Sequence, residues 1–308
     1  MIIKKPKFWS SINFFSIILL PFTFLYYLLF SLKKNLVSNQ EFSIPIICVG
    51  NIFIGGTGKT PLSIYIYNFL KKKKFKPAIT RKYYKSHFDE INLTKKRVGR
   101  FFINKNRITA VKEAQKKESD VVIMDDGFQD FSIKKDLNII CFNNIDAVGN
   151  GLMLPAGPLR EPLKNLSKAQ IVVINGKKNK NFENKIKSLS RNTEVFYSRY
   201  IIKKKSNFKN KKFLAFAGIG NPESFFNLLK ENKLNIKQKV SFPDHYSYTK
   251  NDIKNIVQKA KKKNLKLITT EKDFYRIKYL GLKKIDYISV DLIISKHKSF
   301  EQEILKYL

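Results

Sequence analysis

The sequence predicts an α/β protein of two lobes, each a parallel sheet covered by helices, preceded by an N-terminal hydrophobic membrane helix. Three observations carry this. Short apolar runs alternate with amphipathic stretches along most of the 308 residues, a glycine-rich loop follows the first such run, and residues 10–32 hold no charge.

The uncharged segment, SSINFFSIILLPFTFLYYLLFSL, is flanked by Lys4, Lys5 and Lys7 on one side and by Lys33 and Lys34 on the other. Its length is enough to cross a bilayer core. No small-x-small site follows it, and Tyr26, Tyr27 and Phe30 lie near its end, which argues against a cleaved signal peptide. Lysines on both flanks give a span little orientation. The preferred expectation is an anchor bent at Pro21, buried in one leaflet with both basic flanks on an anionic membrane surface; a full span is the alternative.

Past the anchor, strands are predicted at 44–50, 77–80, 120–124, 137–142 and 170–175, with helices at 60–74 and 107–118. The lysine- and asparagine-rich stretch 177–211 reads as a connection between domains. A second alternating set follows: strands 213–218, 236–241 and 265–270, with helices 222–231, 249–263 and 298–308. The expected division is an anchor over 1–34, a nucleotide lobe over 35–205 and a smaller α/β lobe over 206–308, with a cleft between the lobes.

Composition narrows the function. At 43% hydrophobic the chain can bury a sizeable core, and Cys48 and Cys141 sit in apolar runs without metal-ligand or redox spacing. The formal charge of +36 suits an anionic partner such as phospholipid or a phosphorylated substrate. Arg-rich faces and aromatic nucleic-acid patterns are missing, so no nucleic-acid partner is expected.

The run IPIICVG leads into NIFIGGTGKTP and then a helical stretch. Gly55, Gly56, Thr57 and Gly58 can aim backbone N–H groups at phosphate oxygens, Lys59 can reach the β- and γ-phosphates, and the Thr60 hydroxyl suits Mg²⁺. The strict phosphate-loop pattern wants a glycine where Phe53 stands. A second apolar run, DVVIMDD, ends in Asp125 and Asp126, which is where a nucleotide fold holds its metal. A plain turn at Gly127 is the alternative. Together these predict binding of ATP with Mg²⁺.

These residues resemble the tetraacyldisaccharide 4′-kinase family of lipid A synthesis. The matching pieces are GNIFIGGTGKTP (50–61), DDGFQ (125–129), GNGLMLPAGPLREPL (149–163), FPDH (242–245) and TTEKD (269–273), in family order. The resemblance implies two α/β/α lobes, the first P-loop NTPase-like, at the cytoplasmic face of the inner membrane of a Gram-negative bacterium. It implies transfer of the ATP γ-phosphate to the 4′-hydroxyl of an acylated disaccharide 1-phosphate lipid, giving lipid IVA.

The chain departs from the family's pattern at three places. TRKYYKSH (80–87) keeps Arg81 and Tyr83 of a glycine-containing motif, Asp89–Glu90 alone match an acidic one, and Asp130 replaces a histidine. By the resemblance Asp89 accepts the proton, His245 from the far lobe orients it after closure, and Lys59 completes the catalytic set. Thr60, Asp125 and Asp126 hold the metal, and Arg160, Glu161 and Asn51 contact substrate. Arg160 has a second reading, a loop-bracing ion pair with Glu161 or Glu223. Glu271 and Asp273 read first as caps of a following helix through Thr269 or Thr270. The competing function is a membrane-attached P-loop NTPase acting as a switch or motor without a lipid acceptor.

Overall fold

The computed structural model describes residues 6–84, 87–203, 205–244, 246–280 and 285–308. The chain clusters into two compact units. The larger takes in residues up to Tyr83, Arg97–Arg199 and Leu292–Leu308, and the smaller Tyr84–Lys96 and Tyr200–Asp291. The division is therefore not the linear one expected at 205/206. The segment 84–96 clusters with the later half of the chain, and the C-terminal residues return to the earlier half.

The N-terminal segment forms α1 (Phe14–Ile18) and α2 (Leu20–Leu36), and no helix among the described residues is long and apolar enough to cross a membrane. The predicted membrane helix is corrected on this point, and the reason is local. Asn13 caps α1 by accepting from the Ser16 N–H, the first helix stops at Ile18, and Pro21 sits in the first turn of α2, where its missing N–H costs nothing. One stripe of α2 is then committed to protein. Ala156 N donates to Thr23 Oγ1 (3.1 Å), Tyr26 Oη donates to the Arg160 carbonyl (2.9 Å), and Phe30 packs edge-on against Phe131. With Tyr27, which packs on the core, these follow the i, i+3, i+4, i+7 spacing of one helix face. Phe22, Phe24, Leu25, Leu29 and Leu32 point the other way and are more than half exposed.

The larger unit is built on β1 (Ile46–Gly50), β2 (Pro77–Lys82), β3 (Phe101–Asn104), β4 (Val121–Asp125), β5 (Leu137–Asn143), β6 (Ile171–Asn175), β7 (Glu194–Ile202) and β12 (Val290–Ile294). They lie in the order β12-β7-β6-β5-β1-β4-β2-β3. The pairs running from β3 through β1 to β7 are parallel. β1 and β4 are buried along their whole length, as continuous apolar strands covered on both faces should be. The helices α3 (Lys59–Lys72), α5 (Arg107–Lys116) and α6 (Lys180–Leu189) belong to this unit. Chain order reverses at β1, with β4, β2 and β3 on one side and β5, β6 and β7 on the other, so the carboxyl ends of β1 and β4 form the crevice where such sheets bind ligands. Cys48 and Cys141 are buried free thiols in this core, and burial pushes Cys48 up to about 11.

Residues 177–211 are more than a connection. They supply α6, whose Phe182 and Ile186 are buried, and β7, which joins the sheet beside β6. Within α6 Lys180 and Lys185 stay exposed while Phe182 and Ile186 turn inward, and the alternation in VFYSRYII is that of a strand.

The smaller unit carries a parallel sheet ordered β11-β10-β8-β9, from β8 (Lys212–Ala217), β9 (Asn235–Ser241), β10 (Lys266–Thr270) and β11 (Asp286–Ile288). Its helices are α7 (Pro222–Glu231), α8 (Lys250–Lys262) and α9 (Glu271–Ile277), joined by α4 (Phe88–Arg97). Two apolar clusters pack on it, one around Phe213, Phe225 and Phe226 and one around Phe216, Ile253 and Ile256. The final helix, α10 (His297–Leu305), buries Phe300 and Ile304, and Glu301 accepts from the Tyr65 hydroxyl of α3 at 2.8 Å.

Candidate phosphate-transfer site

The glycine-rich loop leaves β1 and ends at α3. Gly55 and Gly58 have φ of 128° and 94°, which L side chains resist, so glycine is required at both. Gly58 is the N-cap of α3, which places Lys59 and Thr60 in its first turn beside the unpaired N–H groups. Asn51 is fully buried and ties the loop to itself, its Nδ2 donating to the carbonyls of Phe53 (2.5 Å) and Gly55 (3.4 Å).

Phe53, standing where the strict pattern has glycine, is buried and pairs with Leu159 in an antiparallel bridge. Ile54 N donates to the Pro158 carbonyl (2.9 Å) and Arg160 N to the Ile52 carbonyl (2.8 Å). The PAGPLREPL segment thus backs the entry to the loop. Phe53 is buried in the apolar cluster that includes Phe128 and Leu159.

Asp125 closes β4, in register with Val49 of β1 and Arg81 of β2. Its Oδ2 accepts from Thr60 Oγ1 (2.9 Å) and from Arg81 Nη1 (2.6 Å), and its Oδ1 accepts from Ser63 Oγ (3.3 Å). Asp125 and Arg81 are both buried, and removing one member of such a pair costs about 3–5 kcal/mol.

Asp126 turns into the left-handed region at φ 56°, and Arg107 steadies this strained corner by donating to the carbonyls of Asp125 (3.1 Å) and Asp126. Lys59 Nζ lies 3.4 Å and Arg160 Nη1 3.1 Å from Asp126 Oδ1. Burial would raise the Asp126 pKa, but Lys59, then Arg160, Arg81 and Arg107, outweigh it and hold the carboxyl well below the usual range.

The residues expected to touch substrate divide. Arg160 is partly exposed, and its partners are Asp126 and Gln129 rather than Glu161 or Glu223. Glu161 is buried, accepting from Gln129 Nε2 (2.5 Å) and Asn165 Nδ2 (2.7 Å), while burial raises its pKa against those bonds. Gln129 also donates to the Asn51 carbonyl (2.8 Å), so Glu161 and Asn51 form a brace beneath the loop.

Thr60 and Asp125 fit a hard divalent cation. Their oxygens are 2.9 Å apart, the edge that two adjacent ligands of octahedral Mg²⁺ span, about 2.9 Å for bonds of about 2.0–2.1 Å. No cluster of three or more Asp, Glu, His or Cys able to hold a metal unaided occurs among the described residues.

In the smaller unit, α4 opens with Asp89 and Glu90 in its first turn. Asp89 is buried and 2.5 Å from Arg276 Nη2, while Arg276 Nη1 reaches Asp273 Oδ1 (3.0 Å) and the Gly218 carbonyl (2.5 Å). Glu90 pairs with Lys272. These ion pairs explain why residues 84–96 cluster with α9 and not with the sheet next to them in sequence. Asp89, expected in the first lobe with His245 in the far one, belongs to the same unit as residues 242–248. His245 itself lies outside the described residues. Thr270 caps α9 by accepting from Asp273 N (3.1 Å), and Asp273 accepts from Gly218 N (3.0 Å) and Tyr248 Oη (3.1 Å), so the capping reading of TTEKD holds.

Several cations at these sites carry no local signal in sequence. Arg107 follows a helix cap at Asn106, and Arg276 ends an amphipathic turn, so either could pass for an exposed surface residue. Only parallel strand register and helix packing bring them to the carboxylates.

A family model described as tetraacyldisaccharide-1-P 4′-kinase matches residues 15–308. The tetraacyldisaccharide 4′-kinase of Pelagibacter ubique is 42% identical over 312 residues, covering 99% of this chain and 98% of that protein. The enzyme of the same name from Rickettsia akari is 33% identical over 318 residues, covering 98% and 96%. Among solved structures, the Aquifex aeolicus LpxK in complex with ATP shares the fold, with a TM-score of 0.71 at 24% identity over 95% of this chain and 99% of that one. With a family model matched over residues 15–308, a range that takes in the loop, the acidic strand end and the bracing segment, and a relative 42% identical over nearly the whole chain, the protein belongs to the tetraacyldisaccharide-1-P 4′-kinase family.

Proposed function

We infer that this chain is an ATP-dependent lipid kinase, transferring the γ-phosphate to the 4′-hydroxyl of a tetraacyldisaccharide 1-phosphate to form lipid IVA in lipid A biosynthesis. The observation that carries the reading is the pairing of the glycine loop with two carboxylates at the crevice of the larger sheet: Lys59 against Asp126, and Thr60 against Asp125. A switch or motor reading has no comparable support, since every relative named above is a lipid kinase by name.

In the proposed reaction the acceptor oxygen attacks the γ-phosphorus, the bond to the β,γ-bridging oxygen breaks, and the hydroxyl proton passes to Asp89. The loop amides and Lys59 hold the phosphates, and Arg160 is a donor fork for phosphate or sugar oxygens on substrate. Asn51 and Glu161 act through the loop they brace, as positioning residues. Mg²⁺, held by Thr60 and Asp125, would neutralise charge on the β- and γ-oxygens. Asp126 is engaged by Lys59 and Arg160 and sets their positions. His245 remains the proposed partner of Asp89, alongside Arg276. Incubation with γ-labelled ATP and acylated disaccharide 1-phosphate should move label to the lipid. Label released only as inorganic phosphate would overturn the kinase reading in favour of the hydrolytic one.

The same reading places the reaction at the cytoplasmic face of the inner membrane, and the exposed face of α2 supports it. Phe22, Phe24, Leu25, Leu29 and Leu32 form an apolar stripe with Lys33 and Lys34 at its end, a pattern suited to lying in one leaflet. Phe24→Glu with Leu29→Glu should abolish co-sedimentation with anionic vesicles and raise the apparent KM for lipid, leaving KM for ATP unchanged. Undiminished sedimentation would reject the anchor.

A further inference from the structure

Lys59 and Arg160 meet Asp126 and Arg107 steadies its turn, but Arg81 bonds the candidate metal pair itself. It is the penultimate residue of β2, and the register of β2 on β4 sets it directly beside Asp125. Its Nη1 bonds both oxygens of the candidate metal pair, 2.6 Å from Asp125 Oδ2 and 3.1 Å from Thr60 Oγ1. The side chain is 3% exposed and that of Asp125 0%, so this is not a surface arginine resting on the nearest carboxylate.

We propose that Arg81 is the resident cation of the nucleotide-free site, and that it must turn from Thr60 and Asp125 onto substrate phosphate before a divalent metal can coordinate them. The inference rests on the assignment of Thr60 and Asp125 as the metal pair.

Three physical points support it. A buried carboxylate needs a counter-charge whenever no metal is present, and the guanidinium supplies one with hydrogen bonds in place. An N–H group directed at both oxygens uses the lone pairs a metal would need, and a second cation about 2.0–2.1 Å from the same oxygens would sit against the guanidinium. The exchange has a natural trigger, because a polyphosphate offers the planar fork a bidentate partner in place of Asp125. Metal is then taken up with the nucleotide rather than before it, and the positive charge released at Asp125 is moved to where negative charge is transferred.

The test is Mn²⁺ titration followed by electron paramagnetic resonance, with and without a non-hydrolysable ATP analogue. Wild type should take up one tight Mn²⁺ only with the analogue. Arg81→Gln should bind Mn²⁺ without nucleotide at least about tenfold more tightly than wild type. Adding Asp125→Asn should remove that gain. Equal nucleotide-free Mn²⁺ binding by wild type and Arg81→Gln overturns the proposal, as does an Arg81→Gln that keeps analogue-dependent binding but gains none alone. If Arg81→Gln does not fold, the wild-type titration still decides, since a tight site without nucleotide overturns the exchange. Should Asp125→Asn leave analogue-dependent Mn²⁺ binding by wild type undiminished, the metal-pair assignment fails instead, and the two failures are told apart.

Discussion

Lys59→Met should lower kcat for phosphate transfer to lipid on the order of 10³-fold, with the fold intact. Lys59 opens α3 immediately after Gly58, so its ammonium is placed by the same left-handed turn that shapes the loop. It lies 3.4 Å from Asp126, which also holds Arg160 at 3.1 Å. Removing the lysine leaves Asp126 with Arg160 as a partner, so the stability cost should stay below about 3–5 kcal/mol, the cost of stripping a buried ion of its partner. Phosphate charge developing in transfer has no such substitute, because Arg160 comes from a different segment and is tied to Gln129 as well. Initial rates with saturating ATP, alongside a thermal melt, check this. A variant keeping more than a few per cent of the wild-type rate would remove Lys59 from the phosphate clamp.

Asp89→Asn should cost about 10²- to 10⁴-fold in kcat, the range for a positioned general base, with KM for ATP unchanged. The substitution keeps the shape of the side chain and its bond to Arg276 while deleting the proton acceptor. Arg276 does not lose all counter-charge, since Asp273 remains 3.0 Å away. Glu90→Gln is the control. It weakens the neighbouring pair with Lys272 on the same helix without touching Asp89, and should reduce kcat far less. Equal losses in the two variants would mean that α4 has shifted, and Asp89 would no longer be the base.

Much of the fold was legible because its signals are local. β1, β4, β5 and β6 are continuous apolar runs, and α3, α5, α7 and α8 have helical spacing, each within two residues of expectation. β3 was illegible since FFIN is four residues at a sheet edge, and β7 was hidden among lysines. The N-terminal segment leaves two readings open, a bent anchor, which is the preferred one, and a full span. Absence of charge over 10–32 is shared by a span and by a bent surface helix, and only the docking of Thr23, Tyr26 and Phe30 separates them.

By itself the sequence determined the phosphate loop, the acidic strand end and the strand–helix order, since backbone conformation and amphipathic period are written in neighbouring residues. Only the tertiary structure decided which cation meets which carboxylate. Arg81 reaches Asp125 across 44 residues, Thr60 across 65, and Arg276 reaches Asp89 across 187. Such pairs are set by parallel strand register and by helix packing, which bring together side chains that no local pattern relates.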